Sequence, residues 1–374
     1  MKMKNLLNIL ILVTLSFGIL SVWSCNSEEL FVEPIVKEVI DEKEETTEKE
    51  DVDEIIEPVI DVTQSCDFSL NDLNANSTVI INCELDLNGA TVNLPENVNL
   101  EYEGGDIVNG SLNFSEGSTI GGELLNSTLT ITGTKPAIKD SNFKFDPKRW
   151  GIIEGKVSDD VARNNRDILE SIMLKVKDFG ISIFEIDEMD AYFKTDNPLE
   201  HVASAALNIP GDFNLIMTNN THIRVQPNSY KNTTLLALFK VDNVTITGGV
   251  LHGDRDEHDY SDTTTSHEWG HCLRITGSSN VVVQDMTFMD AGGDGVDIHA
   301  NGHTYDSHYQ RSRNILIQRN LFLRNRRNQI SITDGIDILI DDNDFIDCSI
   351  HTALSKGVAP GFAVDVEAVT GNNP

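Results

Sequence analysis

Aromatic and basic residues are both scarce in this chain of 374 residues. Phe, Trp and Tyr make up only 6% of it, too few for a broad core of packed rings. A core of stacked Val, Ile and Leu needs none, and that is how solenoids are built. Lys and Arg number 28 against 60 Asp and Glu, a net charge of −32. Nucleic-acid binding requires a basic surface, so that class of partner is excluded. The five cysteines include no C-x-x-C pair or other metal-type spacing, so neither structural zinc nor any other firmly implied cofactor is expected. Cys66 and Cys83 lie close together in a segment that reads as exported and form an expected disulfide.

The N-terminus reads as an address. Lys2 and Lys4 precede an apolar run from Leu6 to Val22, and Cys25 stands at the cleavage position. This resembles a bacterial lipoprotein signal over residues 1–25, in which Cys25 is the lipidated residue. The alternative is an uncleaved membrane anchor. The Asn26-Ser27-Glu28-Glu29 run that follows is similar to the surface-export signal of Bacteroidetes lipoproteins. The resemblance implies an exported outer-membrane lipoprotein on the cell surface, touching membrane only through its lipid. Residues 26–64 hold fifteen acidic residues against three Lys, and like charges extend such a segment into a tether.

Residues 65–149 show short β-prone runs between Asn and Gly turns, as in Ser77–Ile81, Ala90–Leu94 and Ser127–Ile131, which suits solenoid coils. One helix is expected. Ser158 is its N-cap, Asp159 and Asp160 fill its first turn, and Gly180 ends it. Its apolar face of Val161, Ile168, Leu169, Ile172, Met173, Val176 and Phe179 can close the open end of a solenoid.

From residue 240 a repeat is visible. Asn243-Val-Thr-Ile, Asn280-Val-Val-Val, Asn314-Ile-Leu-Ile and Asp337-Ile-Leu-Ile align. Each is followed by an apolar position (Leu251, Phe288, Phe322, Phe345) and then by a further strand at 273–275, 296–298, 330–332 or 364–366. Repeats of this length with alternating strands signify a solenoid. With Gly292-Gly293-Asp294-Gly295-Val296-Asp297-Ile298, the pattern resembles the pectate-lyase-like superfamily. That resemblance implies an all-β, right-handed parallel β-helix over residues 150–374 behind an N-terminal capping helix. It also implies polysaccharide chemistry: lyases, polygalacturonase-type hydrolases, epimerases and tailspikes share the fold. Gly270-His271-Cys272 departs from the Gly-His-Gly of the hydrolases, and their paired adjacent Asp residues are missing.

The repeat predicts which side chains point outward, since alternate residues of a strand face opposite sides. One outward row is Arg274, Asp297, Ser331, Asp365; the next is Thr276, His299, Thr333, Glu367; a third is Cys272, Gly295, Gln329, Ala363. Arg327 lies at their edge. Insertions at 254–271, 300–313 and 351–361 supply the walls of a groove, carrying Trp269, His271, Tyr305, Tyr309 and Lys356. Eight of the ten histidines fall between 252 and 351, which favours a site over a plain solvated wall.

Two chemistries fit. Elimination on a uronic acid needs a base, an acid and a cation for the carboxylate. His299 or Tyr305 are the candidate base and acid, and Arg274 or Arg327 the carboxylate holder, with Gln329, Glu367, His271 and Trp269 contacting the sugar. Hydrolysis would use Asp297 and Asp365, two rungs and so about 9.6 Å apart. A third reading is a glycan-binding solenoid without catalysis. Blander roles stand beside each: Asp294 as a turn residue, Arg274–Asp297 as a cross-strand ion pair, His299 as a surface histidine. The acidic runs 254–257 and 341–344 are candidate calcium loops, though without EF-hand spacing they read better as solvated. The partner expected overall is an acidic polysaccharide or oligosaccharide, and elimination is the leading reaction.

Overall fold

A computed structural model describes residues 65–196 and 202–367. The expected signal with Cys25 and the tether at 26–64 lie outside the described residues. Among the described residues no helix is long and apolar enough to cross a membrane.

Parallel strands dominate. Each pass of the chain adds one strand to each of three sheets, so the strands of one sheet come from successive passes. A seven-stranded sheet runs from Asn142–Lys144 to Ile336–Asp341, and a six-stranded sheet from Met189–Phe193 to Asp344–Ile346. The other six-stranded sheet, here the site sheet, comprises Leu207–Asn208, Asn232–Phe239, Trp269–Thr276, Val296–His299, Ile330–Ile332 and Val364–Val366. The result is an all-β, solenoid-like stack with no closed barrel.

The register follows the repeat. Val244, Val281, Ile315 and Ile338 are successive partners, as are Leu251, Phe288, Phe322 and Phe345. Identical faces therefore stack, and three of the rings form a column: Phe288–Phe322 and Phe322–Phe345 centroids lie 4.9 and 5.2 Å apart. Corners are held by a second column. Asn243, Asn280 and Asn314 all adopt left-handed φ near +56°, a conformation that Asn tolerates better than most residues. Asn280 Nδ2 donates to Asn243 Oδ1 at 3.0 Å and Asn314 Nδ2 to Asn280 Oδ1 at 2.7 Å, so the amides link across rungs on the solvent side of the turn.

Residues 65–138 also form parallel coils, in three smaller sheets. The disulfide joins Cys66 to Cys83 at their start. The expected boundary near residue 149 is not a structural break, because Asn142–Lys144 is already the first strand of the seven-stranded sheet. One apolar cluster extends from Leu70 to Ile330. The helix spans Asp159–Asp178, with Ser158 Oγ accepting from Val161 N and Gly180 in the left-handed region at its end. Leu169, Ile172, Met173 and Val176 are buried in that same cluster, and the helix packs on the first strands of both six-stranded sheets. It is thus a lid on two sheets while the third continues past it.

Phe322 is fully buried between two rings, so Phe322→Ala removes both stacking partners and leaves a cavity. The expected cost is about 3–5 kcal/mol of unfolding free energy, read from denaturant titration; a loss below about 1 kcal/mol would show that the column is not load-sharing.

Candidate functional site

The site sheet turns its polar face toward the three insertions. Arg274, Asp297, Ser331 and Asp365 are successive register partners, as the repeat predicts, and Thr276 pairs with His299. Arg274 Nε lies 3.1 Å from Asp297 Oδ2, with the Asp almost wholly buried. Asn328 Nδ2 bridges Ser331 Oγ and Asp365 Oδ2, both at 3.0 Å, so the row is continuous.

Simple alternation fails at one corner. Cys272 and Leu273 are consecutive, yet both belong to the apolar core. A strand that turns two neighbours inward reverses its phase, so Cys272 is a core residue, not the outward one expected. The same reversal brings His271 to the side of Arg274 and Asp297, both of which act electrostatically on it. His271 is therefore a buried strand residue and not part of a solvated wall. Gln329 needs the same correction: it is fully buried, accepts from Asn325 Nδ2 at 2.5 Å and donates to the Ile346 carbonyl at 2.8 Å. It fastens one rung to the next and cannot meet a ligand. Tyr305 stands 69% exposed, stacked on His303, outside the polar row.

Asp294 is more than a turn residue. Its Oδ1 accepts from Asn328 N at 3.0 Å and its Oδ2 lies 3.1 Å from Arg327 Nη1 and 3.5 Å from His271 Nδ1. Burial pushes its carboxyl up to about 7, opposed by Arg327 and reinforced by Asp297. Burial acts on Asp297 in the same direction, but Arg274, His271, His299 and Arg327 together outweigh it and hold that carboxyl below its usual range. Burial lowers His271 to about 4 and also lowers His299, with Asp297 pulling both back upward. Both imidazoles are therefore neutral at neutral pH, between one ionised Asp and two guanidiniums.

His299 Nδ1 is hydrogen-bonded to Thr333 Oγ1, and that hydroxyl also lies 3.2 Å from the Ile298 carbonyl. With the hydroxyl proton on that carbonyl, Nδ1 carries the ring hydrogen and Nε2 a bare lone pair, which is the tautomer a base at Nε2 requires. Nothing singled out Thr333 in advance except its place in the row of His299.

Beside this row opens a cleft of about 320 Å³ lined by Lys231, Asn232, Thr265, Trp269 and Arg274. Trp269 is 44% exposed, with the Arg327 guanidinium 5.2 Å from its ring centroid. Arg327 also reaches Glu367 at 3.5 Å and Asp365 at 4.0 Å. Roomier clefts of about 450 and 360 Å³ lie near the helix and the 144–150 segment, away from these residues. Thr234 Oγ1, His271 Nε2 and Thr276 Oγ1 are buried without hydrogen-bond partners, all on two adjacent strands of the site sheet. Such atoms are costly to leave unpaired, so their concentration marks a place prepared for further polar partners.

Neither acidic run is arranged as a cage. Asp254 is committed to Asn228 and His258, and Asp256 to Thr352. Asn343 turns its amide to the backbone carbonyls of Ile317 and Asp341. Among the described residues no group of three or more His, Cys, Asp or Glu is arranged to hold a metal ion.

The chain is similar to two proteins of Bacillus subtilis (strain 168). It is 36% identical over 167 residues to the uncharacterized protein YclG, covering 44% of this chain and 28% of that protein. It is 30% identical over 166 residues to the SPbeta prophage-derived uncharacterized protein YorA, covering 43% and 28%. The chain thus spans less than a third of the length of these relatives. No family model matches it, and no solved structure does.

The elevated Asp294 carboxyl has a thermodynamic consequence. Its folded-state value lies above the ordinary 3.8, so its contribution to stability is complete below about 4 and is lost as pH rises through about 7. Asp294→Asn keeps an acceptor for Asn328 N and removes that ionisation. The variant should gain stability relative to wild type between pH 4 and 7, measured by thermal melting at each pH; a constant difference across that window would contradict the raised value.

Proposed function

We propose that this is an exported, lipid-anchored, carbohydrate-active enzyme whose solenoid-like fold is a right-handed parallel β-helix, and that it cleaves an acidic, uronate-containing polysaccharide or oligosaccharide by β-elimination. The Cys66–Cys83 disulfide supports export, since such bonds persist outside the reducing cytoplasm. The single observation that carries the reaction is His299: held below its usual range by burial and bonded through Nδ1 to Thr333, so that Nε2 can serve as the base, two residues beyond Asp297 on the same strand and in register with Thr276.

In this reading Arg274 and Lys231, on the cleft, hold the sugar carboxylate. Their charge stabilises the carbanion formed when His299 Nε2 takes the proton beside it. The electron pair then expels the glycosidic oxygen, and the imidazolium of His299 is the acid available to it. Asp297 orients Arg274 and favours the imidazolium. The exposed ring of Trp269, backed by Arg327, offers a face for a sugar ring to stack on. The cluster leaves no role for Tyr305 or Gln329.

One observation favours the rival hydrolysis. Asp294 and Asp297 have ionisation ranges driven in opposite directions, the pattern of a general acid paired with a base. Asp294 is nearly inaccessible, however, and Asp297 is closed off by Arg274, which is why elimination is preferred.

A panel of uronate polysaccharides, followed by absorbance of the unsaturated product, tests the proposal. His299→Ala should lower turnover at least about 100-fold with folding intact. Undiminished turnover would remove His299 as the base. New reducing ends without absorbance would establish hydrolysis instead, and retention on glycan gels without either signal would establish a binding protein.

A further inference from the structure

The 254–268 insertion contains a hydrogen-bonded chain of side chains that the proposed reaction does not use. Asp254 Oδ2 accepts from Asn228 N at 3.1 Å and Asn228 Nδ2 at 2.9 Å, and lies 2.7 Å from His258 Nδ1. His258 Nε2 is 3.0 Å from His267 Nδ1, and His267 Nε2 is 2.8 Å from the Asp262 carbonyl oxygen. Both ends of this chain are acceptors. Its three links therefore need three protons on the four ring nitrogens, whereas two neutral imidazoles carry only two. Shifting a proton onto Asp254 does not help. The Oδ2 atom would become a hydroxyl, a poor acceptor for the two Asn228 donors it already serves.

We propose that His258 and His267 share one additional proton, and that this imidazolium pair, pinned between Asp254 and the Asp262 carbonyl, positions the wall segment that leads into Trp269. The pair is enclosed. The Tyr260 ring packs on both imidazoles, at 4.6 and 5.6 Å. Its hydroxyl is spent on the Arg255 carbonyl. Arg326 lies 4.5 Å over the same ring and donates to the carbonyls of His267, Gly292, Ser266 and Lys356. Charged groups near the pair are Asp254, bonded directly; Asp259 and Asp262, which interact with the imidazoles; Arg255, Arg326 and Asp256, which act on the Tyr260 ring packed against them; and Glu268, which follows His267 and acts on Arg326.

Asp254 is the one charge bonded directly to the pair. Loss of the shared proton breaks one of three links in a loop whose other side-chain ties are the Arg326 bonds to the Ser266 and His267 carbonyls and the Tyr260 bond to the Arg255 carbonyl. His267 sits in the left-handed region at φ +51° and is separated from Trp269 by a single residue, so slack there passes directly to the ring. The pair is a positioning device: ordered while it holds the shared proton and looser without it. Its link to turnover rests on the reading of Trp269 as a sugar platform, but the proton count does not.

Two measurements on the full chain test this. Imidazole ¹⁵N NMR at about pH 6, near the ordinary imidazole range, should show one imidazolium equivalent distributed over His258 and His267, with His258→Gln and His267→Gln identifying their signals. Two neutral, singly protonated rings in the folded protein would overturn the proposal. Acrylamide quenching of Trp269, taken as the difference from Trp269→Phe, should rise at least about twofold as the shared proton titrates away. Quenching that stays flat through that titration would refute the positioning role. Should the Gln variants fail to fold, agreement between the wild-type histidine titration and the wild-type quenching curve decides the matter. Neither measurement needs a substrate, so a failed activity screen would leave this result standing.

Discussion

Parallel in-register pairing is the constraint on which everything else in this molecule depends. Each strand lies directly over the same stretch of the previous pass, so every column repeats one environment. Apolar columns merge into a core without edges between rungs, as in Phe288–Phe322–Phe345. Polar columns become rows in which charges must compensate one another. Arg274 over Asp297, and Asn328 tying Ser331 to Asp365, are such compensations. The site is a by-product of that geometry: groups from residues 271 to 365 meet because the backbone register puts them side by side.

The rungs were legible because apolar positions recur, and recurrence needs only hydrophobicity to be seen. The Asn corners were legible for a related reason, since few residues occupy left-handed φ comfortably. The outward row containing Arg274, Asp297 and Asp365 followed from alternation. What could not be read was the point where alternation stops. Nothing in Gly270-His271-Cys272-Leu273 announces that two neighbours face inward, yet that corner decides that His271 joins the polar cluster and Cys272 the core. Gln329 was misassigned because a polar residue on a regular strand reads as outward. Only the structure reveals that Asn325 and the Ile346 carbonyl satisfy it inside. Tyr305 shows the opposite limit, since loop conformation carries no periodicity from which a direction could be inferred. The Asp254–His258–His267 chain was invisible for the same reason: its links span only four and nine residues, but loop conformation alone brings them together.

Two buried arginines explain how long insertions become definite walls. Arg255 is fully buried and bonds Ser355 Oγ at 2.8 Å and the carbonyls of Arg324 and Ile350. Arg326 reaches three carbonyls of the 254–268 and 351–361 loops, and that of Gly292 as well. Burying a guanidinium is expensive unless its donors are used, and here they are used on loop backbone that would otherwise need water. The loops therefore borrow order from the stack. An acidic protein can hold cations at its cleft because others of its arginines are already committed inside, as fasteners.

The inward pair Cys272–Leu273 divides the tolerable changes in this chain into two kinds. Between rungs, length is free, as the unequal loops already demonstrate. Within the strand that carries the pair, adding or deleting a single residue would exchange the faces of the residues on one side of the change, moving His271 into hydrocarbon or Cys272 into the cleft. Homologous sequences should accordingly vary in the size of their insertions while keeping an invariant count from Trp269 to Thr276, and alignments that open a gap there are misaligned.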